Sequence, residues 1–421
     1  MTEARLTTGF RCIRCGTRYP IAQDLFGCPA CETQVPANLE LEYGAGVLDG
    51  ALLKKVWADR KPGLWRYREL LPVAAAGAVS LGEGGTPLIA CARLGEAVGL
   101  PGLMAKNESQ NPTWSFKDRL ASVAVSWARD HGRPGIAISS SGNAGAAAAA
   151  YAARAGMPCI VFTTRAFPGG MQRFMRSYGA MVVAAPTGPG RWVLNRAVAR
   201  EWGWLPMSNT ADPPVGSHPS GIEGCKTIAY EIAQDLGWRA PDAVVIPVAY
   251  GDSIAGIHRG FKELLAAGVI DRLPRLIAAE TYPSLSGALE QGAEGPVPTE
   301  GGDSKAFSVA TPRGTYQALR AIRESEGSAI AVSDAEIFDA HRRLREREGL
   351  FVEFSSAMPL AAAERLAAAG ELNPTDTVVM LITSSGVKDS ELTAPGDELP
   401  LAEPNLAALQ AVLKDRFGFA A

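Results

Sequence analysis

Residues 135–164 read G-I-A-I-S-S-S-G-N-A-G-A-A-A-A-A-Y-A-A-R-A-G-M-P-C-I-V-F-T-T, and this stretch decides the fold class. G-I-A-I-S-S-S (135–141) has the length and apolar content of a buried strand. The alanine-rich run to Ala155 has a helical composition, and P-C-I-V-F-T-T (158–164) reads as the next strand. Four further short apolar runs share the pattern: G-A-M-V-V-A-A (179–185), D-A-V-V-I-P-V (242–248), R-L-I-A-A-E-T (275–281) and D-T-V-V-M-L-I-T (376–383). Helical patterns separate most of them. This alternation predicts an α/β protein with open, twisted parallel sheets. Such sheets take their ligands at the carboxyl ends of the strands, where three of these runs end in small polar residues.

The totals narrow the function classes. A chain of 421 residues is long enough for two or three folding units. With 47% apolar and 20% charged residues it is an ordinary globular composition. A formal charge of −3 gives no general attraction to nucleic acid or to an anionic membrane. Met-Thr-Glu-Ala-Arg-Leu at the start lacks the apolar run of a signal peptide. The stretch Ala144–Ala153 is too short to span a bilayer. The expectation is a cytoplasmic enzyme.

Seven cysteines divide into a cluster and three scattered residues. Cys12, Cys15, Cys28 and Cys31 form C-x2-C, twelve intervening residues, then C-x2-C. In a reducing compartment this spacing predicts a metal site rather than disulfides. Four thiolates close a tetrahedron around zinc and leave no open position, so the zinc is structural. Cys91, Cys159 and Cys225 read as small buried apolar residues. Residues 35–80 read as an irregular, partly helical arm, and 403–417 as one amphipathic helix.

Three loops and one lysine carry the chemistry. S-S-S-G-N-A-G (139–145) follows a strand and opens a helix, where free N–H groups and hydroxyls suit a carboxylate. V-A-Y-G-D-S (248–253) has the same setting and suits a phosphate, and T-S-S-G (383–386) closes the last strong strand. N-P-T-W-S-F-K-D-R (111–119) places Lys117 between an aromatic and an acid, just after a polar turn. Any one Ser/Gly turn is weak, since such turns cap helices everywhere.

Lys117 and its neighbours resemble the cofactor-lysine segment of threonine synthase, and more broadly of the fold-type II pyridoxal-phosphate enzymes. G-L-W-R-Y-R-E-L-L-P (63–72), L-G-E-G-G-T-P-L (81–88), E-G-C-K-T-I-A-Y-E-I (223–232) and T-S-S-G-V-K-D (383–389) resemble further blocks in the same order. The resemblance runs from about residue 60 to 390. It implies two parallel-sheet domains, and the cysteine spacing adds a small N-terminal zinc ribbon at 8–34. Residues 35–115 and 206–402 would form the large cofactor domain, 116–205 a smaller mobile domain, and 403–421 a tail. It further implies a Schiff base on Lys117, which suits a lysine that loses its charge in a desolvated pocket. Phe116 would pack on the ring, and Asn143 would bond its phenolic oxygen. Gly251, Asp252 and Ser253 would meet the phosphate, and Thr383 the pyridine nitrogen. Ser140, Ser141, Gly142, Asn143 and Ala144 would receive the substrate carboxylate, with Trp114 nearby. A neutral hydroxyl on the ring nitrogen favours elimination or replacement at Cβ or Cγ over transamination.

Four departures bear on the substrate. Trp114 stands where the family usually has glycine. Asp252 lies in the phosphate loop and is expected to act as a helix N-cap. Gly221 occupies the place of an arginine that helps hold the phosphate of O-phosphohomoserine, so another cation, such as Arg119 or Lys226, is expected to compensate. His218 extends the segment before that block and is expected to be a loop residue. The resemblance implies a lyase acting on an O-activated amino acid, with O-phospho-L-homoserine to L-threonine as the default. The alternatives are β-replacement or elimination on another substrate such as O-phosphoserine, as in cysteate synthase, and a non-catalytic sensor using the ribbon for interaction. Arg11, Arg14 and Arg18 have few basic or aromatic companions, which argues against nucleic acid. The partner expected from the resemblance is a second copy, as a homodimer.

Overall fold

The computed structural model describes residues 7–22, 26–44, 49–165, 169–390 and 399–419. The chain begins with β1 (Thr7–Cys12), β2 (Arg18–Tyr19) and β3 (Leu39–Tyr43), an antiparallel sheet in the order β2–β1–β3. The sheet thus reaches past the cysteine cluster into the segment expected to be irregular. Leu39 and Leu41 alternate with Glu40 and Glu42, so one face of β3 is buried. α1 (Gly50–Ala58) follows, capped by Asp49, whose side chain accepts from the N–H groups of Ala51 and Leu52.

The first large-sheet elements are β4 (Leu88–Ala90), α2 (Ala92–Val98) and β5 (Leu103–Asn107), after which α3 (Lys117–Asp130) begins at the lysine itself. Next comes a compact parallel run: β6 (Ile136–Ser139), α4 (Asn143–Ala155), β7 (Cys159–Thr164), α5 (Gly169–Ser177), β8 (Met181–Ala185), α6 (Gly188–Trp202) and β9 (Leu205–Pro206). Its strands form a four-stranded sheet in the order β8–β7–β6–β9. Alanines 146–150 of α4 are all buried, because methyl side chains let α4 lie close to its neighbours while keeping the highest helix propensity.

The chain then returns through α7 (Pro219–Asp235), β10 (Ala243–Pro247), α8 (Asp252–Ala266), β11 (Arg275–Glu280), α9 (Ser284–Glu290), α10 (Tyr316–Glu324), β12 (Ser328–Ala331), α11 (Asp334–Glu348), α12 (Phe354–Ala368) and β13 (Val378–Ile382). The six-stranded sheet runs β12–β11–β10–β13–β5–β4, parallel except for β4 at its edge. Every apolar residue of β10 and β13 is covered on both faces, as a central parallel strand requires. Each such Val, Leu or Ile contributes about 1.5–3 kcal/mol of burial. All six runs read as strands from the sequence are strands.

Two compact units are resolved, with the break after Lys388. The second contains α13 (Leu406–Phe417), an exposed helix capped by Asn405. Among the described residues no helix is long and apolar enough to cross a membrane.

Candidate active site

The Lys117 segment is clamped by the end of β13. Phe116 N–H donates to Thr383 O at 3.0 Å, and Ser385 N–H donates to Trp114 O at 3.1 Å. Asp118 accepts from Thr113 N–H at 3.1 Å and from its hydroxyl at 2.9 Å, which closes the turn from within. Burial pushes this carboxyl up to about 7 despite those donors. Lys117 therefore leaves the first turn of α3 at the carboxyl end of the central strands. Its Nζ lies 4.5 Å from the centre of the Phe116 ring and 3.9 Å from Asp252 Oδ2.

A cavity of about 320 Å³ opens over this amine. Phe116, Lys117 and Thr383 form part of its wall. Ser140, Ser141, Gly142, Asn143 and Ala144 line another side, and Gly251, Asp252 and Ser253 a third. The three loops expected from sequence thus converge on the lysine from three separate strand ends. Gly251 sits at φ 75°, and a Cβ there would lie 2.5 Å from that of Ala318, so only glycine lets the first turn of α8 approach so closely. The unpaired N–H groups of that turn give an anion-binding end.

Asn143 is held at both ends of its amide. Its Nδ2 donates to Glu353 Oε2 at 2.7 Å, while its Oδ1 accepts from Lys388 Nζ at 2.5 Å and from Ser384 Oγ at 3.2 Å. The buried Glu353 also accepts from the Ser308 hydroxyl. Burial pulls the Lys388 amine down to about 8, against the pull of Glu353 and Asp118. The Thr383 hydroxyl pairs with that of Ser356 at 2.7 Å.

Several expectations change. Trp114 is not part of the cavity wall: its indole stacks on Phe174 with centroids 5.3 Å apart and is 44% exposed. Its φ of 61° is a left-handed conformation, which is why glycine suits the position. Asp252 is not the N-cap of α8; Gly251 holds that place. The carboxylate turns instead to Ser217, accepting from its N–H at 2.9 Å and its hydroxyl at 2.5 Å, and to Gln317 Nε2 at 2.8 Å.

Neither compensating cation is free. Arg119 is fully buried and makes paired 2.7 Å bonds to both oxygens of Glu108 and of Glu231. Lys226 is fully buried too, bonded to Leu70 O at 2.7 Å and to Glu263 at 3.0 Å. A Cβ on Gly221 would lie 2.9 Å from Leu120 Cγ, so the helix contact itself keeps this site small. His218 is the half-buried N-cap of α7, packed against Phe10 and Trp127, with its imidazole pushed down to about 3 by desolvation.

Besides Lys117, the cavity is lined by a cation that the sequence did not single out, Arg191. It lies in the first turn of α6, capped by Thr187, and its NH1 donates to Ser141 Oγ at 3.2 Å. Burial pulls its guanidinium below the ordinary arginine value. The signal was available: an arginine in a helix's first turn opposes the macrodipole and suggests another partner. Glu353 and Lys388 carried no such local signal.

The cysteines gather as expected. All four sulfurs lie within 4.8 Å of one another, with Cys12–Cys31 at 3.8 Å and Cys15–Cys28 at 3.6 Å. A zinc tetrahedron with bonds of about 2.3 Å has sulfur–sulfur edges of about 3.8 Å, so the donor set fits that ion. Backbone N–H groups of Arg14 and Cys15 point at Cys12 Sγ, as they do toward a ligating thiolate.

Comparison with known proteins agrees with this geometry. Residues 79–384 match the family described as "Pyridoxal-phosphate dependent enzyme". The threonine synthase of Methanocaldococcus jannaschii is 33% identical over 414 residues, covering 96% of this chain and 99% of that protein. The threonine synthase of Methanosarcina acetivorans is 32% identical, covering 96% and 98%. Among solved structures, maize serine racemase superposes with a TM-score of 0.62 at 22% identity, over 73% of this chain and 90% of that one, a likeness of fold.

Proposed function

The chain belongs to the pyridoxal-phosphate dependent enzyme family, and on that premise we propose that it is a threonine synthase-like lyase acting on an O-phosphorylated amino acid, with O-phospho-L-homoserine as substrate. One observation carries the reading: Lys117 faces a cavity walled by three polar strand-end loops and one arginine, Arg191.

Pyridoxal phosphate, when bound, supplies an electron sink for charge developing at the substrate Cα. Lys117 would hold the cofactor through its amine and would move protons at the substrate Cα and the neighbouring carbons. Asp252 Oδ2, 3.9 Å from Lys117 Nζ, helps orient that side chain toward the cavity. The first turn of α8, with Gly251 and Ser253, offers N–H groups to the cofactor phosphate. Phe116 would pack on the ring, and Asn143, fixed by Glu353 and Lys388, would offer its remaining N–H to the phenolic oxygen. Thr383 would offer the ring nitrogen a neutral hydroxyl, a setting that favours chemistry at Cβ and Cγ. Ser140, Ser141, Gly142 and Ala144 at the start of α4 receive the substrate carboxylate. Arg191 stands in for the arginine missing at Gly221 and holds the leaving phosphate. In the net reaction the Cγ–O bond to phosphate breaks and water adds at Cβ.

The same proposal assigns a structural zinc to Cys12, Cys15, Cys28 and Cys31, supported by the sulfur spacing. The test is to mix the purified holoenzyme with O-phospho-L-homoserine while following the cofactor absorbance, inorganic phosphate and threonine. Release of phosphate and threonine in equal amounts is the expected result. A spectral change without phosphate release would overturn the substrate. Phosphate release from O-phosphoserine alone would move the reading to β-replacement. Absence of a lysine-bound cofactor band in the cofactor-saturated protein would overturn the reading of Lys117.

A further inference from the structure

A second and larger cavity, about 570 Å³, lies between the ribbon sheet and helices α7, α8 and α10. That volume is within the range of small-molecule sites. Its apolar wall includes Ile13, Leu39, Ile222 and Ala255. Around Glu40 stand three guanidinium groups: Arg11 Nε at 3.7 Å, Arg259 NH1 at 3.8 Å and Arg320 NH1 at 3.9 Å. All three distances exceed hydrogen-bond length.

Two of these arginines are satisfied elsewhere. Arg259 NH1 lies 3.0 Å from Glu223 Oε1, and Arg320 Nε lies 2.6 Å from Glu324 Oε1. Arg11 is different: its Nε is shielded from solvent and makes no hydrogen bond among the described residues. The buried Nε2 of His258 and Oε1 of Glu223, on the same cavity, likewise make no hydrogen bond to a described residue. The cavity therefore presents the Arg11 guanidinium, whose buried Nε makes no hydrogen bond, beside the Glu40 carboxylate, which is held only at ion-pair distance, next to an aliphatic wall.

A lone anion would leave Glu40 opposing it, and a lone cation would meet three arginines. A zwitterion satisfies both groups. We propose that this cavity binds a free aliphatic α-amino acid, its carboxylate on Arg11, its ammonium on Glu40 and its side chain against Ile13, Leu39 and Ile222. The site does not depend on the reading of Lys117, yet the two share a helix. α8 carries Asp252 in its first turn and Ala255, His258, Arg259 and Lys262 along the cavity. Gln317 also lines the cavity and donates to Asp252 Oδ1 at 2.8 Å.

Equilibrium dialysis of the holoenzyme against labelled L-valine, with the cofactor absorbance monitored, tests the site. Saturable binding is expected. Binding should be at least about tenfold weaker in Arg11→Met and in Glu40→Gln, the range of one charge-assisted hydrogen bond. Isovalerate, which lacks the ammonium, and isobutylamine, which lacks the carboxylate, should compete poorly. Both substituted residues are partly exposed, so the variants should fold, as the cofactor band and circular dichroism would verify. No binding by the wild type, or binding undiminished in both variants, would overturn the proposal, the latter pointing to the Lys117 cavity. Isovalerate binding as tightly as valine would also overturn it, leaving a simple anion site.

Discussion

Replacing Arg119 by methionine should destabilise the protein by about 3–5 kcal/mol, the range for removing one partner of a buried ion pair. The local geometry favours that range. Arg119 is two residues beyond Lys117 and has no exposed surface. Its guanidinium makes four 2.7 Å bonds to carboxylate oxygens, two on Glu108 and two on Glu231. Glu231 would keep Lys106 at 3.0 Å and the Gly85 N–H at 2.8 Å. Glu108 would keep the Thr86 hydroxyl at 2.6 Å and Asn111 Nδ2 at 2.9 Å, but no cation. The cost therefore falls mainly on one charged, buried Glu108. Adding Glu108→Gln to Arg119→Met removes that charge at nearly constant volume and should return about 1–3 kcal/mol. Urea titrations of the three proteins, followed by tryptophan fluorescence, measure both steps as shifts of midpoint at constant slope. A loss below about 1 kcal/mol in the single variant would refute the reasoning. So would a double variant less stable than the single one, since the Glu108 charge would then not be the source of the cost.

Three further outcomes are expected. Arg191→Met should lower kcat/KM for O-phospho-L-homoserine by roughly 10- to 150-fold, the loss of about 1.5–3 kcal/mol from one charged contact; unchanged kinetics would remove Arg191 from the leaving-group site. Zinc should co-purify in equimolar amount with the wild-type chain, and Cys28→Ser should lower both the zinc content and the thermal midpoint; full stability in a chelated, zinc-free sample would show that the ribbon does not need the metal. Lys388, held near pH 8 by burial, takes up its proton less readily folded than unfolded. The unfolded chain then binds more protons between about pH 8 and 10.4, so this group's contribution to stability should rise with pH across that window. Lys388→Met should flatten that rise in urea midpoints, and parallel pH profiles for the two proteins would contradict it.

The sequence determined features that are local in the chain. Buried parallel strands are continuous apolar runs, so the strands at 136–139, 159–164 and 378–382 were legible without partners. The cysteine pairs were legible because each C-x2-C turn sets two ligands by itself. The lysine segment and its polar strand ends were legible as motifs, and the fold brings them around one cavity. Other features depend on residues far away in the chain, which no local pattern contains. β3 is a strand because β1 pairs with it across the cysteine loop. The direction of Asp252 is decided by Ser217 and Gln317, and Arg119 is withdrawn from the site by carboxylates on two other elements. Trp114 turns outward because a left-handed backbone and the Phe174 ring take it there. The type of each element follows from short-range pattern and propensity. Where a charged or bulky side chain points follows from which distant groups fill its hydrogen bonds, and only the folded chain supplies those.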